Sequence, residues 1–261
     1  MKRTKIERIM KDGKIMMLAY DQGFEHGPED LNIKTADPNY VLDIALEGRY
    51  TAIAMQSGIA DKYYTGYFKD VPLVIKLNGK TKLNQDEDIL SLQHTTVKHA
   101  IELGAAGVGY TIYPGSRHEQ QMFVEFGRIC DQAHNAGLPV ICWMRPKPKN
   151  MNQELDTNTL AYAARIAMEL GADVVNIPAT TDFEGLKWIV KCAGKTRVIT
   201  SGGEKISDYE FLDHVQKSME AGVRGIAVGR NIWQREDPFD ATKTLKEVMF
   251  EGKTAEQALK K

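Results

Sequence analysis

Short apolar runs alternate with longer amphipathic segments along most of the chain. The apolar runs are hydrophobic at consecutive positions rather than at every second one, which is typical of strands buried on both faces. They predict eight strands, at residues 15–20, 51–55, 73–77, 107–112, 140–143, 174–177, 198–200 and 225–228. The amphipathic segments predict helices at residues 39–47, 88–103, 117–136, 157–170, 183–192, 207–221 and 238–249. The connection at residues 57–64 is the least clear.

Glycines mark the ends of several predicted helices. Gly104, Gly171 and Gly222 each follow a helix and stand shortly before the next strand, as helix C-caps do. Strict alternation of strands and helices predicts a parallel sheet that is covered by helices. Eight such units in one domain favour closure over an open sheet. The predicted fold is therefore α/β, a single-domain (β/α)8 TIM barrel over residues 1–261.

Length and charge agree with this fold. The chain has 261 residues, of which 43% are apolar and 26% charged, and such barrels typically have about 250 residues. Its 34 basic and 35 acidic residues give a net charge of -1, and no block of like charges occurs. The sequence therefore indicates neither nucleic acid nor an anionic membrane as a partner.

The cysteines and the N-terminus indicate no special chemistry or targeting. Cys130, Cys142 and Cys192 lack the close Cys/His spacing of a zinc site, so we expect small apolar residues and no metal. The N-terminus is basic, but its apolar run lacks a small-residue cleavage site. No segment reaches the roughly 20 apolar residues of a membrane span. We expect a cytoplasmic protein.

Glycines also follow the last two predicted strands. Strand 7 leads into Ser201, Gly202 and Gly203, and strand 8 leads into Gly229 and Arg230. Bare backbone N–H groups followed by helices form sites for anions, and the loops after strands 7 and 8 of a barrel commonly bind phosphate. These five residues are therefore predicted to form a phosphate cradle.

Other strands carry candidate site side chains at or near their C-terminal ends, where (β/α)8 barrels have their active sites. These side chains are Asp21, Lys76, Trp143, Arg145, Lys147 and Asn176. We expect Trp143 to form a wall of the pocket, and Lys147, a loop residue, to hold phosphate. Glu25 and His26 either belong to the site or only fix the first loop.

Four phrases resemble the archaeal-type class I fructose-1,6-bisphosphate aldolases, Schiff-base enzymes of the DeoC/LacD-like group. They lie at residues 18–28, 76–81, 201–203 and 225–234, and the resemblance covers essentially the whole chain. It implies a (β/α)8 barrel, a phosphorylated sugar or keto substrate, and reversible aldol C–C cleavage. It also implies no metal, no cofactor and a homo-oligomer.

Two positions depart from the pattern of that family. The resemblance places the family's Schiff-base lysine at Asn176 and its proton-transfer tyrosine at Arg145, whereas the strand 1 aspartate is retained as Asp21. An amide cannot form an iminium, so Asn176 is expected to hydrogen-bond a substrate carbonyl instead. A guanidinium keeps its protons, and Arg145 is expected to anchor a carboxylate or phosphate.

Lys76 is the strongest candidate for a relocated Schiff base, because burial in an apolar strand would depress its pKa. Three interpretations stay open: an aldolase, an enzyme that binds and polarises a carbonyl without a covalent intermediate, and a catalytically silent sugar-phosphate-binding homologue. A Rossmann-type dinucleotide enzyme is disfavoured because no Gly-x-Gly-x-x-Gly motif follows strand 1.

Overall fold

Eight parallel strands close into a barrel in chain order in a computed structural model, which describes residues 4–83, 88–147 and 155–260. The strands are β1 (Ile15–Tyr20), β2 (Ala52–Gln56), β3 (Leu73–Lys76), β4 (Gly107–Ile112), β5 (Val140–Met144), β6 (Val174–Ile177), β7 (Arg197–Ser201) and β8 (Gly225–Val228). All eight predicted strands are confirmed, with ends that differ by no more than one residue. Pairing of β1 with β8 completes the barrel.

Helices cover the outside of the barrel. They are α1 (Gln22–Glu25), α2 (Pro38–Glu47), α3 (Ser57–Tyr63), α4 (Val97–Glu102), α5 (Glu119–Asn135), α6 (Thr157–Glu169), α7 (Phe183–Cys192), α8 (Asp208–Glu220), α9 (Arg230–Trp233), α10 (Pro238–Phe250) and α11 (Ala255–Leu259). The unclear connection after β2 is the helix α3. Side chains of Asp156, Asp182 and Ser207 accept backbone hydrogen bonds at the starts of α6, α7 and α8, which explains why these helices begin there.

The predicted helix at residues 88–103 is wrong over its first half, because only Val97–Glu102 is helical. The backbone N–H groups of His94 and Thr95 both donate to the carbonyl of Leu77, at the end of β3. Hydrogen bonds that would otherwise lie within a helix are thus directed to the barrel. Thr96 caps α4 and fixes its later start.

Side chains that alternate along the strands fill the barrel interior. The inner apolar cluster includes Ile15, Met17, Ile141 and Val174, and all four are fully buried. A 3-10 turn at Ile6–Ile9 packs against this cluster at the N-terminal end of the strands. Because side chains on a strand alternate in direction, the same alternation brings polar residues inward at the C-terminal ends. Along the described chain, none of the helices is long and apolar enough to cross a membrane.

Candidate active site

A pocket of about 310 Å³ opens at the C-terminal ends of the strands. It brings together nine of the eleven site residues predicted from the sequence: Asp21, Lys76, Trp143, Arg145, Ser201, Gly202, Gly203, Gly229 and Arg230. Asn176 and Lys147 do not line it. Gln22, Glu25 and His26, from the loop after β1, complete the polar part of the wall. The strand-end rule therefore located the pocket, and the first loop adds to it.

The cradle is shaped by close approach of backbone. A Cβ atom added at Gly229 would lie 2.4 Å from Nε2 of Gln22 and 2.9 Å from the carbonyl oxygen of Ala19. A larger residue therefore cannot occupy this position without a shift of its neighbours. Arg230 lines the pocket, and its guanidinium lies 3.5 Å from a carboxylate oxygen of Asp30. The cradle thus offers backbone together with one guanidinium.

Asn231, which the sequence interpretation missed, joins the two loops of the cradle. Its amide nitrogen donates to the carbonyls of Gly202 (2.7 Å) and Glu204 (2.6 Å), and its amide oxygen accepts from the N–H of Ile206 (3.0 Å). The side chain is fully buried. A buried amide at the start of α9 therefore fixes the loop after β7. Its place beside Arg230 in the strand 8 phrase is the one sequence signal that could have identified it.

Lys76 lies between two carboxylates. Its Nζ is 3.0 Å from Oδ2 of Asp21 and 3.1 Å from Oε1 of Glu25, and it lies 4.6 Å from the ring centroid of Trp143. Burial alone would lower the pKa of Lys76, but the charges and hydrogen bonds of Glu25 and Asp21 outweigh it and raise the pKa. The expectation of a depressed pKa is therefore wrong, and the ammonium form is stabilised.

The same contacts give the first loop a part in the site. Glu25 lines the pocket and pairs with Lys76, so it does more than fix the loop. His26 also lines the pocket, and its Nδ1 is 2.9 Å from Oδ2 of Asp30. We call Asp21, Glu25, Lys76, Arg145 and Asn176 the reactive end.

Arg145 reaches from the end of β5 across β6 to β7. One terminal nitrogen donates to Oδ1 of Asn176 and to Oγ of Ser201, both at 2.8 Å, and the other donates to the carbonyl of Met144 at 2.9 Å. Burial lowers the pKa of the guanidinium, and Glu25 opposes that effect. Both terminal nitrogens are engaged by protein acceptors. Bidentate binding of a carboxylate or phosphate by Arg145 would require breaking these hydrogen bonds.

Asn176 is fully buried and faces protein groups. Its Oδ1 accepts from Arg145 and, at 2.7 Å, from Oγ of Ser201. Its Nδ2 has no hydrogen-bond partner among the described residues. A bond to a substrate carbonyl would have to be donated by this Nδ2, and the expected contact does not fit the arrangement because the Asn176 side chain does not line the pocket.

Lys147 lies in a neighbouring hollow with Pro114, Phe123 and Tyr162. Burial and the nearby charge of Lys80 lower its pKa. The structure therefore separates Lys147 from the cradle. Within the described ranges, no group of His, Cys, Asp and Glu side chains is arranged to hold a metal ion.

The sequence profile of the DeoC/LacD family aldolases matches residues 15–235. This chain belongs to the DeoC/LacD aldolase family. Among its relatives, the class 1 fructose-bisphosphate aldolase of Thermoproteus tenax is 45% identical over 95% of the chain and 94% of that protein. The corresponding protein of Halobacterium salinarum is 41% identical over 96% of both chains. The chain is thus a class I fructose-bisphosphate aldolase-like protein.

Solved structures give the same assignment. A Schiff-base-forming fructose-1,6-bisphosphate aldolase superposes on this protein with a TM-score of 0.89 and 44% identity, over 94% of this chain and 98% of that one. A fructose-bisphosphate aldolase from Slackia heliotrinireducens has a TM-score of 0.89 at 30% identity, over 97% of this chain and 86% of that one. The predicted family and barrel fold are confirmed.

Proposed function

We propose that this protein binds a phosphorylated sugar or keto compound in the pocket above the barrel and acts on its carbonyl without a Schiff base. The observation that carries this proposal is the buried amide of Asn176. This residue stands at the position where the resemblance places the Schiff-base lysine of the family. That amide is fully buried and bonded to Arg145 and Ser201. A planar amide nitrogen has no free electron pair with which to attack a ketone.

Lys76 does not supply the missing nucleophile. It is the only lysine among the described residues that line the pocket. A Schiff base requires the neutral amine, whereas Asp21 and Glu25 hold Lys76 as an ammonium by raising its pKa. We therefore expect no covalent adduct at this lysine.

The remaining groups suit non-covalent carbonyl chemistry. With a phosphate in the cradle, the carbonyl of a short keto compound would lie over the reactive end. An ammonium there stabilises negative charge that develops on a carbonyl oxygen. The carboxylate of Asp21 or Glu25 can accept a proton from the adjacent carbon, while the electron pair moves to the oxygen and gives an enolate. Reprotonation or addition to an aldehyde completes an exchange, an isomerisation or an aldol step.

Borohydride trapping tests the absence of a Schiff base. The protein is incubated with dihydroxyacetone phosphate or fructose 1,6-bisphosphate, reduced with borohydride, and measured by intact mass. We expect no adduct, whereas the Thermoproteus tenax relative, treated in parallel, serves as the positive control. An adduct on this protein would overturn the proposal, and peptide mapping would identify the lysine.

Deuterium exchange separates the enzyme from a silent homologue. In D2O, proton removal next to the carbonyl of dihydroxyacetone phosphate leaves deuterium at that carbon, which NMR detects. We expect exchange that disappears in the Asp21→Asn/Glu25→Gln double variant. Saturable binding of the ligand without exchange or cleavage would instead identify a sugar-phosphate-binding protein.

Restoring the lysine provides a further test. We expect Asn176→Lys alone to leave borohydride adduct formation and aldol cleavage near background, because the new amine would lie against the guanidinium of Arg145, which donates to Asn176 at 2.8 Å. The double change Arg145→Tyr/Asn176→Lys removes that charge and adds a phenol, so it should exceed the single variant. Equal cleavage rates in both variants would show that Arg145 is not limiting.

The proposal includes a cytoplasmic location, a homo-oligomer and a reaction that needs neither metal nor cofactor. The homo-oligomer and the reaction without metal or cofactor are supported by the resemblance. Light scattering coupled to size-exclusion chromatography measures the assembly, and it should give a mass that is a multiple of 29.3 kDa. Dialysis against EDTA should leave exchange unchanged, and loss of exchange would contradict the metal-free mechanism.

A further inference from the structure

A second cavity, of about 470 Å³, adjoins the cradle between the loops after β6 and β7. We call it the side pocket. It shares four lining residues with the active-site pocket: Pro178, Ala179, Gly202 and Gly203. Gly203 has φ of +68°, and a Cβ atom added there would meet nothing within 4 Å. No side chain at Gly203 therefore divides the two spaces, which are lined in part by the same four residues.

The wall of the side pocket is mainly apolar. Leu155, Ile206, Phe211 and Ile226 line it together with the shared proline and alanine. Its volume and composition are those of a small-molecule site, which is usually an apolar concavity with a few polar groups. The wall therefore favours a hydrocarbon or aromatic part of a ligand.

The charges of the side pocket exclude a second phosphate. Among the described residues, no lysine or arginine lines it, and Glu204 is its one carboxylate. His214 also lines it; burial lowers the pKa of this imidazole, which favours the neutral form. A phosphate dianion would lie there beside a carboxylate without any compensating cation, which is unfavourable in a partly dry cavity.

Among the described residues, the active-site pocket also lacks groups for a second phosphate. Arg230 is at the cradle, and Lys76 is held between Asp21 and Glu25. Both terminal nitrogens of Arg145 donate to protein acceptors. Lys147 lines a different hollow. Among the described residues, Arg230 is thus the one cation that is available to a phosphate in this pocket, so only one phosphate can be paired.

We infer that the ligand of this protein is a monophosphate with an apolar or aromatic portion, which occupies the side pocket while the phosphate lies on the cradle. The inference rests on the proposed function in one respect, that the cradle holds phosphate. It narrows the substrate class, because a sugar bisphosphate has no apolar portion for the side pocket, and the described residues of the two pockets offer no cationic site for its second phosphate.

Calorimetric titration of the wild-type protein tests this inference with inorganic phosphate, benzyl phosphate and fructose 1,6-bisphosphate. We expect benzyl phosphate to bind roughly tenfold or more tightly than inorganic phosphate, since its ring leaves water. It should also bind more tightly than the bisphosphate. Equal binding of benzyl and inorganic phosphate, or tighter binding of the bisphosphate, would overturn the inference while leaving the proposed function intact. No binding of any phosphate would overturn both.

The side pocket is tested by Ile206→Asp. The Ile206 side chain is 43% exposed, so a charge is tolerated there, and its backbone N–H still donates to Asn231. We expect the advantage of benzyl phosphate to vanish while binding of inorganic phosphate stays within about twofold. Ile33→Asp, at a residue that is 97% exposed and outside both pockets, is the matched control and should keep the advantage.

Ile206→Ser offers a milder version if the aspartate variant unfolds, as checked by circular dichroism. It should reduce the preference for benzyl phosphate in the same direction. An unchanged preference in a folded Ile206 variant would show that the ring binds elsewhere, and the inference would fall.

Discussion

The two ends of the candidate active site, the cradle and the reactive end, differ in whether backbone or side chains form them. The cradle is made largely of backbone, with Gly229 closely packed against Ala19 and with Asn231 joining its two loops. The reactive end is made of side chains that are bonded to one another, as Lys76 is to Asp21. A backbone site depends on the path of the chain and on the lack of side chains, whereas a side-chain site changes with each substitution. This difference explains how one end can keep the family pattern while the other departs from it.

The charged side chains of the reactive end are also bonded to other protein groups. Asp21 and Glu25 face Lys76, and Arg145 donates to Asn176 and Ser201. Removing one of these side chains therefore leaves its partners without a charge or hydrogen-bond partner. This lowers the free energy of unfolding whether or not a ligand is bound. Substitutions in the cradle should mainly weaken ligand binding. The following variants test this contrast between stability and affinity.

Lys76→Met should have the largest effect. It leaves two carboxylates without their shared cation, and breaking a buried ion pair from one side typically costs about 3–5 kcal/mol. Lys76 is 1% exposed. Guanidinium unfolding should show the loss, and Lys62→Met, at an exposed lysine, should change the free energy of unfolding by less than about 0.5 kcal/mol. Similar values for both variants would contradict the ion-pair network.

Gly229→Ala should combine a smaller loss of stability with weaker phosphate binding. The added Cβ would stand 2.9 Å from the carbonyl oxygen of Ala19, and overpacking of this kind costs about 1–3 kcal/mol. Gly127→Ala is the control, because its Cβ would meet nothing within 4 Å; in the helix α5 it should gain about 0.5–1 kcal/mol. Unchanged affinity for phosphate in Gly229→Ala would separate the glycine from the cradle.

Ser201→Ala isolates the link between the two ends. It removes the hydroxyl that accepts from Arg145 and donates to Asn176. The expected loss in the free energy of unfolding is about 1–3 kcal/mol, because two hydrogen bonds are removed and each typically contributes about 0.5–1.5 kcal/mol. Ser218→Ala is a matched control, because Oγ of Ser218 is buried without a partner among the described residues and its removal should be nearly neutral or stabilising. A cost at Ser218 as large as that at Ser201 would argue against the bridge.

The smallest effect concerns pH. Burial lowers the pKa of His94, with a contribution from Lys76, and burial also lowers the pKa of His214. Both ordinary values are 6.5, so the unfolded chain binds protons first as the pH falls, and stability is lost below pH 6.5. Urea unfolding at pH 7 and pH 5.5 should show this decrease, and His214→Gln should reduce it. A protein that is more stable at pH 5.5 would contradict the sign.

The strands and the pocket could be predicted because their signals are local. A continuous apolar run marks each strand, and parallel closure brings all C-terminal ends to one side. Asp21, Arg145 and Ser201 therefore came together as expected from their places in the chain. No contact had to be known in advance.

What the sequence did not reveal depends on distant partners. Residues before α4 form no helix because His94 bonds to Leu77. The pKa of Lys76 rises through Glu25, which is 51 positions away along the chain. The oxygen of Asn176 accepts from Arg145, which is 31 positions away along the chain. Each of these outcomes is a pairwise interaction across the fold, which hydrophobic patterning does not encode.

Closure of the barrel has a consequence for synthesis of the chain. Ile15 of β1 pairs with Gly225 of β8, so about two hundred residues separate the strands that seal the sheet. At translation rates of about 5–20 residues per second, the free edge of β1 waits on the order of ten seconds or more on the ribosome. An unpaired edge of that kind attracts other strands. The nascent chain therefore has a vulnerable interval, which ends only when β8 emerges and covers it.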